Sequence, residues 1–341
     1  MRFLSIFENQ TRFGTKIYAP DYLSEGKYPI VDQSKKLICG YRNDPEGLYK
    51  NIPIIIFGDV SRNIKYIDFP CFLGADGSVI LKVINNNWNT KYLYYYLQKQ
   101  PIPNTGYNRH YKFLKNLDFV EIPLAEQLKR TNVLDSINIL IKKLEQEIVF
   151  CNELIKSRFN EMFGDNKCLV KIGDVLSTTS GGTPSKGKNE YYLNGDIPWL
   201  CSGEVNAGII TKVKNRITEL GLKNSSAKWI PENSVVVAMY GATAGKVGLL
   251  KIKTTTNQAV CSILPSSKFI PEFLYYAVGS KTEELVSKAW GGAQPNISQG
   301  IIKNTLIPNP TIDEQKEFAS FVSRVDKLKF TNQRERHILQ P

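Results

Sequence analysis

NTGYNRHYKFLKNLDFVEIPLAEQL, residues 104–128, returns as GAQPNISQGIIKNTLIPNPTIDEQK, residues 292–316. Set 188 positions apart, Asn108 meets Asn296, Lys115-Asn116 meets Lys303-Asn304, and Glu126-Gln127 meets Glu314-Gln315. The echo continues upstream at smaller offsets. Tyr22, Gly26 and Pro29 match Tyr191, Gly195 and Pro198 at 169, and Leu93-Tyr94-Tyr95 matches Leu274-Tyr275-Tyr276 at 181. The drift means that the second copy has gained loop residues. A repeat of this length is a duplicated domain, not a solenoid. Two similar domains at fixed separation suggest one protein reading two similar sites.

Between the copies the spacing predicts a long helix. Leu134, Ile137, Ile141, Leu144, Ile148, Cys151 and Ile155 recur every three and four residues, the a and d positions of a heptad seam. The helix opens near Leu124, after Pro123, and stops at Gly164. About 40 residues at ~1.5 Å each make a rod of roughly 60 Å. After the second copy the pattern restarts. Pro308 and Pro310 precede Asp313-Glu314-Gln315, and Phe318, Val322, Val325 and Leu328 carry a shorter stripe that fades after Leu328. A heptad seam needs a partner, and the nearest one is the other helix of the same chain. The alternative is that each seam packs on its own domain. Within each copy, short β-like runs (54–57, 79–81, 235–237 and 247–250) alternate with turns, and a helix is expected at 90–99 and at 271–287.

Net charge is +12, and it is unevenly spread. Residues 1–120 carry 16 basic and 10 acidic side chains, and residues 166–310 carry 16 and 9. Residues 121–165 carry 6 and 8, and residues 311–341 carry 6 and 5. The excess positive charge therefore sits in the two copies, as expected if both face a polyanion such as DNA; a basic, soluble surface without a partner is the plainer reading. No stretch approaches a membrane span, and MRFLSIFENQTRFG meets Glu8 and Arg12 too early for a signal peptide. Six widely spaced cysteines form no Cys-x-x-Cys pair, and there are two histidines, His110 and His337. No metal site or disulfide framework is expected, and a reducing cytoplasm fits best.

Catalysis finds little support. Gly241-Ala-Thr-Ala-Gly245-Lys246-Val247 has one residue too few for a phosphate loop, and Val247 stands where Ser or Thr must hold magnesium. Ser180 and Ser202 sit in no nucleophile elbow. No catalytic residue is assigned. The candidates are instead contacts to DNA. In copy one these are Arg12, Lys16, Arg62, Asn63, Lys65, Asn108 and Arg109. In copy two they are Thr183, Lys186 and Lys188 on a flexible basic loop, then Tyr240, Thr243, Lys246, Gln294 and Asn296. Lys and Arg place phosphates; Arg and Asn are the usual readers of guanine and adenine edges. Each can equally be a solvated surface residue.

Several short motifs resemble one family. They are Ile172-Gly173-Asp174-Val175, SGGTPS at 180–185, Asp196-Ile197-Pro198-Trp199-Leu200, Ile230-Pro231, Tyr240-Gly241-Ala242-Thr243, Thr256-Asn257-Gln258-Ala259 and Asp313-Glu314-Gln315-Lys316. Together they resemble the DNA specificity subunit of type I restriction-modification systems. The resemblance is dense in 170–330 and rests on the internal repeat in 1–120, where Leu4-Ser5-Ile6 stands in place of Gly-Asp-Val. It implies an α+β fold, with two similar mixed α/β target recognition domains separated by two long helices that form an antiparallel coiled coil. The expected boundaries are 1–121 and 166–310 for the recognition domains, and 122–165 and 311–341 for the helical spacers. It further implies a non-catalytic subunit that reads a bipartite sequence in double-stranded DNA and docks two methyltransferase subunits and, through them, restriction subunits. S-adenosylmethionine, ATP and magnesium would belong to those partners, with no cofactor in this chain. Half-sites one helical turn apart lie ~34–36 Å along DNA, a span the rod can bridge. A coiled-coil adaptor whose basic domains bind RNA or protein, or the specificity module of a related restriction or modification enzyme, is the alternative.

Overall fold

A computed structural model describes residues 1–164, 168–290 and 296–339. The chain forms two compact units, Met1–Ile141 and Lys142–Pro341. In the first, strands β1 (Phe7–Asn9), β2 (Lys16–Ile17), β3 (Tyr28–Val31), β4 (Gly40–Arg42), β5 (Ile54–Gly58), β6 (Ile64–Ile67), β7 (Phe72–Gly74) and β8 (Ser78–Val83) precede helices α1 (Thr90–Gln98) and α2 (Tyr111–Leu114). Helix α3 (Leu124–Phe163) then runs from the first unit into the second. The second unit continues with β9 (Leu169–Lys171), α4 (Ile172–Val175), β10 (Thr178–Ser180), β11 (Ile197–Leu200), β12 (Ile209–Ile210), β13 (Arg216–Ile217), α5 (Glu219–Lys223), β14 (Trp229–Ile230), β15 (Val235–Ala238), β16 (Val247–Leu250), β17 (Thr254–Thr256) and β18 (Val260–Ile263). Helices α6 (Pro271–Gly279), α7 (Thr282–Ser287) and α8 (Gln299–Asn304), strand β19 (Leu306–Pro308) and helix α9 (Ile312–Leu339) complete it.

Each unit holds the same pair of sheets. An antiparallel sheet has the order β1-β8-β5-β6 in the first unit and β10-β18-β15-β16 in the second, where β12 is added at the edge. The mixed sheet has the order β4-β3-β7-β2 in the first and β13-β11-β17-β14 in the second. In both, an early strand lies parallel to a late one: Val31 opposite Leu73, and Leu200 opposite Thr256. The fourth strands differ. β2 precedes β3 in the chain and runs parallel to β7, whereas β14 follows β13 and runs antiparallel to β17.

The uninterrupted apolar runs of the central strands follow from burial on both faces. Ile54 and Ile56 face one core cluster with Val31, Cys71 and Leu73, while Ile55 and Phe57 face another with Phe3, Leu93 and Phe119. Val235 and Val237 divide from Val236 and Ala238 in the same way. Side chains alternate between the faces of a strand, so a strand covered on both sides loses its polar alternation.

The helix expected at 271–287 is two helices, α6 and α7, parted at Ser280-Lys281. The α3 seam is buried or half-buried at Leu134, Ile137, Ile141, Leu144, Ile148, Cys151 and Ile155. Its first half packs on α1: Asp135 accepts from Lys91 Nζ at 2.7 Å and from the Tyr95 hydroxyl at 2.6 Å. Its second half runs antiparallel to α9. Arg158 pairs with Glu317 at 2.8 Å, Lys329 donates to Asn152 at 2.7 Å, and Asn332 donates to Glu147 at 2.8 Å. This pair also seals the core of the second unit, where the rings of Phe159, Phe163, Phe273 and Phe318 pack against one another with centroids 5.0–6.5 Å apart. Phe318, Val322 and Val325 are buried, but Leu328 is 54% exposed. The stripe does not fade where its apolar residues end. It continues at heptad spacing through Lys329, Asn332 and Arg336, whose partners are Asn152, Glu147 and Glu145 on α3. Polar partners across the helix pair take the place of apolar contacts, which places Leu328 on the outer face.

The repeated Glu-Gln dipeptide supplies the joint between sheet domain and helix. Gln127 is fully buried in the first turn of α3. Its Nε2 donates to the Asn87 and Ile122 carbonyls, each at 2.8 Å, and its Oε1 accepts from Asn89 N at 2.9 Å. Gln315 does the same in α9: Nε2 donates to the Lys268 and Pro310 carbonyls, each at 3.1 Å, and Oε1 accepts from Ile270 N at 2.8 Å. Each glutamine thus ties the first turn of a long helix to the chain entering α1 or α6. Gln127→Ala and Gln315→Ala each leave a buried amide and two carbonyls without partners and are expected to cost ~2–4 kcal/mol. Glu126→Ala, at an exposed ion pair with Arg130, is expected to be near neutral. Thermal unfolding checks this, and an unchanged melting curve for both glutamine variants would rule out the clamp.

Candidate nucleic-acid interface

Sheet polarity gathers the loops of the first unit at one end. Strands β3, β5 and β7 all stop there, and β6 and β8 start there. Gln33, just past β3, binds these loops to one another. Its Oε1 accepts from Val60 N at 3.2 Å and Ser61 N at 3.1 Å, its Nε2 donates to the Asp76 carbonyl at 2.8 Å, and its own carbonyl accepts from Asn63 Nδ2 at 2.8 Å. Asp59, just past β5, ties in the segment that carries the repeat. Its carbonyl accepts from His110 N at 2.7 Å and His110 Nδ1 at 2.9 Å, and its carboxylate accepts from Tyr111 N at 2.6 Å. Thr105 N donates to His110 Nε2 at 3.2 Å, so the buried imidazole is a bridge inside the loop cluster.

Several expected DNA contacts in this unit are occupied internally. Lys65 is 6% exposed, donates to the Asp32 carbonyl at 2.7 Å and to the Lys36 carbonyl, and lies 3.7 Å from the Asp32 carboxylate. It is a buried cation that pins the 32–36 loop and is not available to a phosphate. Burial alone would raise the Asp32 carboxyl, but hydrogen bonds from Cys39 and Ser34, with Lys65 nearby, hold it below the usual carboxylate range. Asn63 is spent on Gln33, and half-buried Arg62 donates to the Ile102 carbonyl at 3.2 Å. The exposed candidates are Arg12, whose guanidinium stacks 4.6 Å from the ring centre of exposed Phe13, Lys16 beside Asp76, Asn108 and Arg109. Tyr107, next to Asn108 in the chain, is 93% exposed beside them.

In the second unit the loops after β10, β11, β15 and β17 meet at the corresponding end. The expected flexible loop at 180–188 is anchored in its first half. Gly181, Gly182 and Pro184 are buried, Gly182 N donates to the Thr256 carbonyl at 3.0 Å, and Trp199 Nε1 donates to the Gly182 carbonyl at 3.0 Å. A Cβ on Gly181 would stand 1.8 Å from the Thr256 oxygen, and one on Gly182 would stand 2.6 Å from Ala227 N. The double glycine answers to this close approach of backbones rather than to mobility. Thr183 donates to Gln258, and Thr243 donates to the Ser202 carbonyl at 3.2 Å, so both hydroxyls hold loops together. Lys186 and Lys188 project beyond the anchor; the Tyr191 hydroxyl, 3.1 Å from Lys188 Nζ, holds that ammonium above the ordinary lysine value. Tyr240, 41% exposed, and Trp290, 72% exposed, share a cleft with Asn296 and Ser298. Asn296 pairs with Trp290 through its main chain. Lys246 lines a different groove with Lys156, Asn160 and Tyr275. Gln294 lies outside the described residues.

Burial pushes the Cys71 and Cys261 thiols up to about 12, and burial with Glu204 nearby pushes Cys201 up to about 11, so these three stay protonated at neutral pH. Among the described residues no group of three His, Cys, Asp or Glu side chains could hold a metal ion, and no helix is long and apolar enough to cross a membrane.

The family profile for the type I restriction modification DNA specificity domain matches residues 165–340. The chain belongs to this family. The specificity subunit of the Escherichia coli type I restriction enzyme EcoR124I/EcoR124II is 27% identical over 348 residues, covering 94% of this chain and 84% of its own. The MjaIX specificity subunit of Methanocaldococcus jannaschii is 30% identical over 175 residues, covering 50% of this chain and 40% of its own. Among solved structures, the type I restriction-modification S subunit from M. genitalium superimposes with a TM-score of 0.62 at 15% identity, over 99% of this chain and 92% of that one. A chain from a structure of type I restriction-modification complex assembly and conformational transition gives 0.63 at 14% identity, over 100% and 94%.

In this specificity-domain fold the double glycine is a sharp point of test. Gly181→Ala is expected to destabilise the chain by ~1–3 kcal/mol or more, because the neighbour it meets is backbone. Gly187→Ala, with nothing within 4 Å of the added Cβ, should be neutral. Denaturant unfolding of both variants checks the contrast; equal midpoints would show that residues 181–184 are not a fixed anchor.

Proposed function

We propose that this chain is the DNA-reading subunit of a type I restriction-modification complex. Each unit reads one half of a bipartite duplex sequence through the loops at the strand ends described above. The two long helices dock two methyltransferase subunits, and restriction subunits join through these. Methyl transfer with S-adenosylmethionine and ATP-driven cleavage with magnesium belong to those partners, and this chain contributes no catalytic group. The observation that carries the reading is the duplication itself. Two domains with the same pair of sheets each turn a loop cluster with exposed cations and amides to the same sheet end, and the two together carry the excess positive charge in nearly equal shares. The family of this chain and its likeness to the Escherichia coli specificity subunit support it.

Co-expression with the neighbouring methyltransferase gene product, followed by single-molecule sequencing for N6-methyladenine, tests the proposal. The expected outcome is one methylated motif of two short specified halves around an unspecified gap. Methylation without a bipartite motif, or preferential competition by RNA over duplex DNA in a gel shift of the assembled complex, would overturn it.

A further inference from the structure

Arg109 differs from every other basic side chain that reaches the loop end of the first unit. Its side chain is 78% exposed, yet NH1 lies 3.6 Å from Oδ2 of Asp59, whose side chain is only 5% exposed. Asp59 is itself immobilised. Its N donates to the Gly77 carbonyl at 2.6 Å, its carbonyl accepts from the main-chain N and from Nδ1 of His110, and its Oδ1 accepts from Tyr111 N. Oδ2 is thus left facing Arg109 from a fixed position. Lys16 has an exposed partner in Asp76 (side chain 72% exposed), Arg12 leans on an exposed ring, and Arg62 and Lys65 are turned inward.

A buried carboxylate behind an exposed guanidinium does something specific. At 3.6 Å the pair is an ion pair and not a hydrogen bond; it draws one edge of the planar fork toward a fixed anchor and leaves the other edge on the solvent side. The two N–H donors of that outer edge match two acceptors side by side, the O6 and N7 of guanine in the major groove. A phosphate also accepts two such donors, so the two contacts part on sequence: a phosphate contact strengthens binding to all sequences alike, and a guanine contact acts at one base pair. Resting on the DNA-reading function proposed above, we propose that Arg109 reads a guanine in the half-site of the first unit and that Asp59 is its positioning residue.

The test uses the complex assembled with its methyltransferase subunits and a duplex library randomised in both half-sites, with bound sequences counted. The wild-type complex should show a G·C pair at one position of one half-site. Arg109→Lys keeps a positive charge beside Asp59 but loses the fork. It should keep the wild-type melting temperature and lose discrimination at that one position by on the order of tenfold, with the other half-site unchanged. Arg109→Ala should relax the same position. Asp59→Asn, which keeps an acceptor for Tyr111 N, should weaken the same preference in part and leave the rest of the motif intact. Three results would overturn the inference: an unchanged motif in Arg109→Lys and Arg109→Ala, a uniform loss of affinity across all sequences, or a relaxed position that is not G·C. A motif that relaxes in the Arg109 variants but not in Asp59→Asn would remove the positioning role. A wild-type complex with no bipartite preference would instead refute the DNA-reading function.

Discussion

A buried side-chain amide sits at the root of each long helix, and the rest of the architecture hangs from it. Gln127 and Gln315 each satisfy three backbone groups that burial would otherwise leave without water: the carbonyl five residues earlier in the chain, and one carbonyl and one N–H beside the start of α1 or α6. A glutamine offers both donors and an acceptor on one planar group, which no apolar or singly functional residue of similar size does. Because the same three bonds form in both copies, each sheet domain meets its long helix through the same joint. A helix seam alone fixes which face is buried but not where the domain attaches along it.

Beyond its joint, α3 has a different partner in each half. The first half of α3 lies on the domain that precedes it, held by Lys91, Tyr95 and Asp135. Its second half changes partner and lies against α9 and the phenylalanine cluster of the second unit. The two expectations for the seam, pairing of the helices and packing on the domains, both hold, in different stretches. Towards the end of α9 the interface turns polar, with Lys329, Asn332 and Arg336 facing α3. Polar groups at such positions tolerate fewer alternative alignments than apolar ones, since a shift of register leaves them unpaired. They therefore define the antiparallel register of this pair.

The loop ends are built by two different means. The first unit cross-links its loops with side chains, Gln33 and Asp59 above all, and spends Asn63 and Lys65 on the same task. The second brings backbones into contact at Gly181-Gly182 and adds hydroxyl bonds from Thr183 and Thr243. In both, a rigid base carries a small set of exposed groups: Arg12 and Arg109 in one, Lys186, Lys188, Tyr240 and Trp290 in the other, while Asn108 Nδ2 donates to the Thr105 carbonyl. A reader of base edges needs this division, because a side chain that must also find its own position loses much of its binding energy to ordering.

The duplication, the short β runs, the extent of α3 and the seam along it were legible from the amino-acid order alone, because residue spacing reports burial directly; that the central strands are covered on both faces came from the fold. It also marked the Glu-Gln pair as repeated, without saying why. Which polar residues face outward was decided only by tertiary structure. Lys65 and Arg109 are equally basic in the sequence, yet one is enclosed by carbonyls of a distant loop and the other stands on a buried carboxylate 50 positions away. Leu328 looked like the last seam residue, but the helix pair continues through polar groups whose partners lie 177 and 185 positions earlier. Hydrogen bonds between remote segments have no period and leave no local trace in composition, so polar chemistry became readable only once the fold had brought those segments together.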